Sequence, residues 1–159
     1  VVKQVHCLCR AGRRCCAMAS VLRTLFCVVL AVAATAETIV GVDTTYTVEK
    51  PPVGGATKVT KGSSVTVHAT GIVEETGKKF WSTKDPGQKS FNYNAGVGSV
   101  IKGWDQGCLG MGLGEVRKLR IPAHEGYGAG GFPAWGIPPK ATLLFEIEVL
   151  SINGVKSEL

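Results

Sequence analysis

Eight aromatic residues lie beside turn-forming segments of the chain, and they are the side chains best suited to build a binding site. They are Phe80, Trp81, Phe91, Tyr93, Trp104, Tyr127, Phe132 and Trp135. Any single one could be an ordinary core residue, but several flank Gly- and Pro-rich loops where a concave apolar pocket can open. Chemistry in such a pocket would rest on shape, desolvation and a few hydrogen bonds.

The residue sets of acid–base, covalent or metal catalysis are missing from the sequence. His68 and His124 are the only histidines after residue 36, and we expect both at the surface. No His, Cys or carboxylate residues cluster at metal-ligand spacing, so we expect no cofactor. The glycines at 110, 112 and 114 follow a helical pattern and precede a strand, the reverse of a phosphate-binding loop. Cys108 is expected to be a small core residue.

Period-two patterns predict the strands that would position the aromatics. Apolar and polar residues alternate along 65–71 and 143–150, and more briefly along 91–93 and 118–121. An edge strand is expected at 45–49, stopped by Pro51-Pro52, and the run from Arg117 to Arg120 is expected to be a solvated face.

One helix is predicted, from about Ile101 to Met111. Ile101, Trp104 and Cys108 share one apolar stripe of this segment. Three residues are expected off that stripe: Lys102, Asp105 and Gln106. An antiparallel sheet with one short packed helix indicates a single α+β domain.

Five motifs follow one another in order along this part of the chain. They are Val67-His68-x-Thr70-Gly71, Gly77-Lys78-Lys79-Phe80, Val100-Ile101-Lys102-Gly103-Trp104-Asp105-x-Gly107, Tyr127-Gly128-x-Gly130 and Ile137-Pro138-Pro139-x-Ala141-Thr142-Leu143-x-Phe145. Together they resemble the FKBP-type peptidyl-prolyl cis–trans isomerases, the macrolide-binding immunophilins, over roughly residues 42–152. The resemblance implies a curved antiparallel sheet of about five to six strands wrapped around one short α-helix. It also implies catalysed rotation about X-Pro bonds in exposed segments of other proteins.

The same resemblance implies roles for individual residues. The residues that would carry catalysis are Tyr127, Phe80, Trp104 (the pocket floor) and Phe145. The substrate-binding residues would be Phe91, Tyr93, Val100, Ile101, Phe132, Ile137 and Trp81. The backbone N–H of Ile101 and the hydroxyl of Tyr127 would hold substrate carbonyls. The loop 132–137 is one residue longer than in minimal family members, which leaves open whether Trp135 joins the pocket.

Two positions depart from the family pattern. Ala69 stands where an aromatic residue, usually Tyr, is expected, and Trp81 stands where an acidic residue is usual. In typical members these two side chains form a hydrogen-bonded pair on one pocket wall. We predict that the indole of Trp81 fills the space opened at Ala69, which gives a drier pocket that still accepts proline. Macrolide affinity should be altered, because those ligands use the acidic side chain.

Residues 1–36 have the composition of a targeting leader. They contain five Lys and Arg residues and no Asp or Glu, whereas the remaining 13 basic and 12 acidic residues nearly balance. A nucleic-acid partner is therefore not expected. The apolar run 25–34 is too short for a membrane span of ~20 residues, but it suits a signal peptide cleaved after Ala36.

The expected organisation follows from that leader. We expect an upstream or extra targeting segment at 1–17, a signal peptide at 18–36, the isomerase domain at 37–155 and a KDEL-like retrieval signal at 156–159. These features predict the endoplasmic reticulum lumen or the secretory pathway. An organellar transit peptide is the alternative.

Two functions remain open at this stage. The first is an active prolyl isomerase that assists protein folding, and the second is a non-catalytic proline-binding or chaperone-like module with altered macrolide affinity. Either would bind proline-containing polypeptides and possess no stable membrane span, and nothing in the sequence argues for more than a monomer. Outside the leader Cys108 is the only cysteine, so the apolar core must hold the domain together without an intrachain disulfide.

Overall fold

The computed structural model describes residues 36–53 and 57–156, in which eight strands form one antiparallel sheet. The strands are β1 (Glu37–Thr38), β2 (Thr45–Lys50), β3 (Ser64–Val73), β4 (Lys79–Ser82), β5 (Phe91–Asn94), β6 (Val116–Ile121), β7 (Leu143–Ile152) and β8 (Val155–Lys156). The helix α1 (Lys102–Gly107) lies between β5 and β6 in the chain. Three short 3-10 turns, Ala123–Glu125, Gly128–Gly130 and Pro133–Trp135, lie in the connection from β6 to β7.

The sheet is built around β3 and β7. Its order is β1-β2-β6-β7-β3-β4, with β5 also paired to β3 and β8 paired to β7. β3 and β7 pair from Val65↔Ile152 to Val73↔Leu143, and alternate residues of both strands are buried. This confirms the predicted antiparallel α+β fold. The sheet has more strands than the five to six expected because β1 and β8 are two residues long, too short for any alternation to be visible.

The helix packs closely on β6 through two glycines. A Cβ atom at Gly103 would lie 2.4 Å from the side chain of Ile121, and one at Gly107 would lie 2.7 Å from that of Leu119. Residues four apart share a face of a helix, so both glycines bring the same face of α1 against the strand. The helix is shorter than the predicted 101–111, since it ends at Gly107 and the chain reverses at Gly110 with φ 78°.

Arg117 is buried, and the prediction that the whole run from Arg117 to Arg120 is a solvated face was wrong at this position. Lys118 and Arg120 are exposed, but Arg117 has the same strand parity as Leu119 and points inward. Its guanidinium donates to Glu115 Oε1 at 2.7 and 2.9 Å and to the carbonyl of Gly107 at 2.9 Å. It thus satisfies a carbonyl at the end of α1, where the helix itself provides no partner.

Cys108 is buried in the core, as predicted, and burial raises the pKa of its thiol to about 12. The thiol is therefore protonated at neutral pH and has no nucleophilic character.

No helix among the described residues is long and apolar enough to cross a membrane.

Candidate active site

A cavity of about 450 Å³ opens between α1, β4, β5 and the β6–β7 connection. It is lined by Trp81, Phe91, Gly98, Ser99, Val100, Ile101, Trp104, Tyr127, Trp135 and Phe145. Six of these residues are aromatic and none carries a charge. The volume lies within the range of small-ligand sites, which is about 300–1,000 Å³.

Trp104 is placed in the cavity by the close contact between α1 and β6. It is only 4% exposed, and its ring meets Phe145 edge-on at a centroid distance of 4.8 Å. Phe91 of β5 packs against it in a similar way at 6.1 Å. Edge-to-face pairs of this kind are favourable and directional, so the orientation of the Trp104 ring is fixed from both sides.

A β-bulge brings two consecutive aromatic residues to the same side of the sheet. In the pairing of β3 with β4, Gly71 lies opposite Trp81 and Ile72 opposite Lys79, which leaves Phe80 as the extra residue. Phe80 packs over Gly71, where a Cβ would lie 2.4 Å from its ring, while Trp81 contacts Phe91 at 6.0 Å. Strict alternation would have sent one of the two rings outward.

Asp105 fixes the loop that forms one wall of the cavity. Its carboxylate accepts the backbone N–H groups of Gly96 at 2.8 Å and Gly98 at 2.9 Å. The side chain is 3% exposed, so the expectation that it lies away from the packed face of α1 was wrong. A helical periodicity cannot reveal this contact, because the donors belong to a loop that precedes the helix.

Three polar groups at the cavity have no hydrogen-bond partner among the described residues. They are the backbone N–H of Ile101 and the hydroxyl of Tyr127, together with the buried indole N–H of Trp104. Burial raises the pKa of Tyr127, so its hydroxyl remains a donor at neutral pH. The Ile101 N–H and the Tyr127 hydroxyl are the two groups that the family resemblance assigned to substrate carbonyls.

Four of the predicted site residues do not line the cavity. Phe80 lies behind the wall, edge-on to Phe145 at 5.6 Å. Tyr93 is buried beneath Phe91, against which it stacks at 5.7 Å. Ile137 is buried at the base of the loop 132–137.

Phe132 is the fourth of these residues and lies on the rim of the cavity. It stacks on Tyr127 at 5.3 Å and is 37% exposed. Conversely, Gly98 and Ser99 line the cavity without having been predicted, and Trp135, which the sequence left open, also lines it. In the sequence, the two glycines at 96 and 98 were the signal that could have indicated this loop. Both have positive φ in the structure.

The histidines lie outside the cavity. His68 contacts Thr83 Oγ1 at 3.0 Å and is partly buried, whereas His124 is exposed, with its Nε2 atom 3.1 Å from Asp43 Oδ2. Within residues 36–53 and 57–156, no three His, Cys, Asp or Glu side chains lie together as metal ligands would.

Comparison with known proteins identifies the family. The model of the FKBP-type peptidyl-prolyl cis-trans isomerases matches residues 55–150. The chain belongs to this family. It is 55% identical over 102 residues to peptidyl-prolyl cis-trans isomerase FKBP12 of Arabidopsis thaliana. The aligned region covers 63% of this chain and 91% of the relative. It is also 45% identical over 120 residues to FK506-binding protein 2 of Emericella nidulans. This alignment covers 75% of the present chain and 83% of the relative.

The comparisons therefore support the enzyme over the non-catalytic module. The chain is an FKBP-type peptidyl-prolyl isomerase, and the aromatic cavity is the candidate site of the reaction. The hydrogen bonds and ring contacts above show which of its residues hold that cavity in shape.

We expect Asp105→Asn to impair catalysis through the loop that it fixes. The amide can accept only one of the two N–H bonds, so the loop 96–101 should loosen and kcat/KM for an X-Pro peptide should fall about tenfold. Hydrogen exchange at the amides of Gly96 and Gly98, followed by NMR, should become faster.

Glu115→Gln is the matched control for this positioning residue. Glu115 is also a buried carboxylate that accepts a glycine N–H, that of Gly112 at 2.7 Å, but Gly112 does not line the cavity, whereas Gly98, which Asp105 binds, does. Loss of the Glu115 carboxylate should lower stability without changing exchange at Gly96 and Gly98. Equal losses of kcat/KM in both variants would show that Asp105 acts only through stability.

Proposed function

We propose that this isomerase accelerates X-Pro rotation by desolvating the peptide bond in its aromatic cavity. The observation that carries the proposal is the absence of charge among the residues that line the cavity. Rotation faces a barrier of ~18–20 kcal/mol because resonance gives the C–N bond partial double-bond character. The planar amide is polar and well hydrated, whereas the twisted amide is less polar. A dry aromatic site therefore favours the transition state over the ground state.

The residue roles follow from the positions of the aromatic rings. Trp104, buried below Phe91 and Phe145, is the floor on which the proline ring rests. The N–H of Ile101 and the hydroxyl of Tyr127 hold the carbonyls that flank the rotating bond. A thousandfold acceleration needs only about 4 kcal/mol, which shape, desolvation and two directed hydrogen bonds can supply without covalent chemistry.

The substrates that this site accepts are proline-containing segments of other polypeptides. The cavity is open to solvent and provides contacts for one apolar ring and its backbone, so it does not require a folded substrate. Uncatalysed isomerisation takes tens to hundreds of seconds and can limit folding. Assistance to folding is therefore the proposed cellular role.

Tyr127→Phe should lower the isomerase activity about fivefold, because one hydrogen bond of roughly 1 kcal/mol is lost. Adding Phe145→Ala should abolish the remaining acceleration by opening the wall beside Trp104. The measurement is cis–trans exchange of an X-Pro peptide by NMR with the wild-type protein and each variant.

His124→Ala is the control, since this residue is exposed, does not line the cavity, and has its Nε2 atom 3.1 Å from Asp43 Oδ2 in the segment before β2. It should retain full activity. A folded wild-type protein that gives no acceleration would contradict the proposal and favour the non-catalytic proline-binding module.

We also propose that the protein works in the endoplasmic reticulum lumen or elsewhere in the secretory pathway. The basis is the sequence of the leader and of the Lys156-Ser157-Glu158-Leu159 terminus. Residues 1–35 and 157–159 lie outside the described residues. The predicted cut after Ala36 leaves β1, which begins at Glu37, intact.

Edman sequencing of the protein purified from its own cells should begin at Glu37. Deletion of residues 156–159 should release it into the medium, because a retrieval receptor could no longer read the terminus. A mature protein found in an organelle, cut at another position, would favour the transit peptide instead.

We further propose that macrolide affinity is altered at the wall that contains Trp81. Relatives of this chain are named FK506-binding proteins, and the family pattern has an acidic residue at this position. Here the Trp81 indole contacts Phe91, Trp104 and Trp135. An apolar wall cannot accept a hydrogen bond from a ligand hydroxyl, which costs affinity.

The double variant Ala69→Tyr, Trp81→Asp should bind FK506 more tightly than either single variant, by more than the sum of their separate effects. Coupling is expected because the new phenol and carboxylate can form a hydrogen-bonded pair only when both are present. The measurement is isothermal titration with FK506. Additive effects on FK506 affinity would contradict the coupling between positions 69 and 81. They would also contradict the prediction that Trp81 fills the space beside Ala69.

A further inference from the structure

Trp135 is held at the cavity mouth by a closed loop of backbone hydrogen bonds. Phe132 and Ile137 exchange N–H···O bonds of 2.9 and 3.1 Å, and the Trp135 N–H donates to the Phe132 carbonyl at 3.1 Å. Gly131 and Gly136 bound this turn with φ of 65° and 68°. A side chain at Gly131 would collide with the carbonyl of Pro138 at 2.4 Å, so the geometry of the turn depends on glycine there.

The Trp135 ring joins the two opposite walls of the cavity. On one side it is nearly parallel to Trp81, with an interplanar angle of 4° and a centroid distance of 6.4 Å, and it stacks on Phe80 at 6.2 Å. On the other side it meets Tyr127 edge-on at 6.3 Å and Phe132 at 5.2 Å. Among the aromatic residues that the structure describes, Trp135 alone has ring contacts with both the β4 wall and the Tyr127 loop.

The two indoles leave no space for a ligand between them. A flat group inserted between parallel rings needs a separation of about 7 Å, twice the contact distance of ~3.5 Å between carbon atoms. The Trp81–Trp135 centroid distance of 6.4 Å is shorter than that. The pair therefore forms one aromatic wall beside the mouth. Trp135 is 44% exposed, so its ring has solvent into which it can move.

We propose that Trp135 is a specificity-determining residue that selects ligands by their width at the mouth. A polypeptide inserts one proline ring and passes beside the indole wall, so it is accepted with Trp135 in place. A broad, rigid macrocycle covers the β4 wall and the Tyr127 loop at the same time, so it must displace the Trp135 ring from its four aromatic contacts. This inference rests on the proposed function, because it assumes that the proline ring enters this cavity.

Trp135→Ala should change the two ligand classes in opposite directions. Affinity for FK506, measured by isothermal titration, should rise at least tenfold because no aromatic contacts need to be broken. The kcat/KM for a short X-Pro peptide, measured by NMR exchange, should fall several-fold because one wall of the cavity is lost.

Phe132→Ala is the matched control. It removes an exposed aromatic ring from the same turn, but that ring contacts Tyr127 and Trp135 and not β4. FK506 affinity should not rise in this variant. An unchanged or weaker FK506 affinity in Trp135→Ala would overturn the proposal, and so would an equal gain in Phe132→Ala, which would indicate general loosening of the turn. The FK506 titration tests the role of Trp135 even if the wild-type protein shows no isomerase activity. Failure of the Trp135 proposal can therefore be distinguished from failure of the proposed isomerase mechanism.

Discussion

The contact between α1 and β6 is the constraint on which the site depends. A helix of six residues is not stable by itself, so its position must come from packing against the sheet. Gly103 and Gly107 remove the side chains that would hold the two elements apart. The same approach directs Trp104, the residue after Gly103, into the space between Phe91 and Phe145. The cavity floor is thus a consequence of how a short helix is stabilised.

Buried charged groups hold the segments around this contact. Asp105 binds two loop amides, Arg117 binds a carbonyl at the helix end, and Glu125 accepts the N–H groups of Asp43 and Thr44 at 3.0 and 2.9 Å. Burial raises the pKa of Glu125, but the hydrogen bonds to its carboxylate outweigh that effect and leave the pKa below its usual value. An ionised carboxylate is therefore favoured in the folded state, and it anchors the segment before β2 to the turn that precedes Tyr127.

The sequence predicted those parts of the molecule that local periodicity controls. Alternation along β3 and β7 was sufficient to place the core, and the aromatics beside turns were sufficient to indicate an apolar site. Periodicity failed where a contact joins distant segments. The bulge at Phe80 depends on register with β3, and the burial of Asp105 depends on loop amides. Arg117 points inward with the parity of its strand, because Glu115 and the carbonyl of Gly107 satisfy its guanidinium, and the charge pattern of the sequence does not reveal these partners.

The arrangement of polar groups explains how an uncharged cavity can exist in a protein rich in buried charge. Each buried carboxylate near the site is directed at backbone N–H groups of the surrounding loops, and none faces the cavity. The ions thus make the loops rigid without making the cavity polar. A carboxylate on the wall would attract water and stabilise the planar, charge-separated amide. Trp81, at a position where the family pattern has an acid, extends the same principle, because with an indole there no charged side chain lines the cavity.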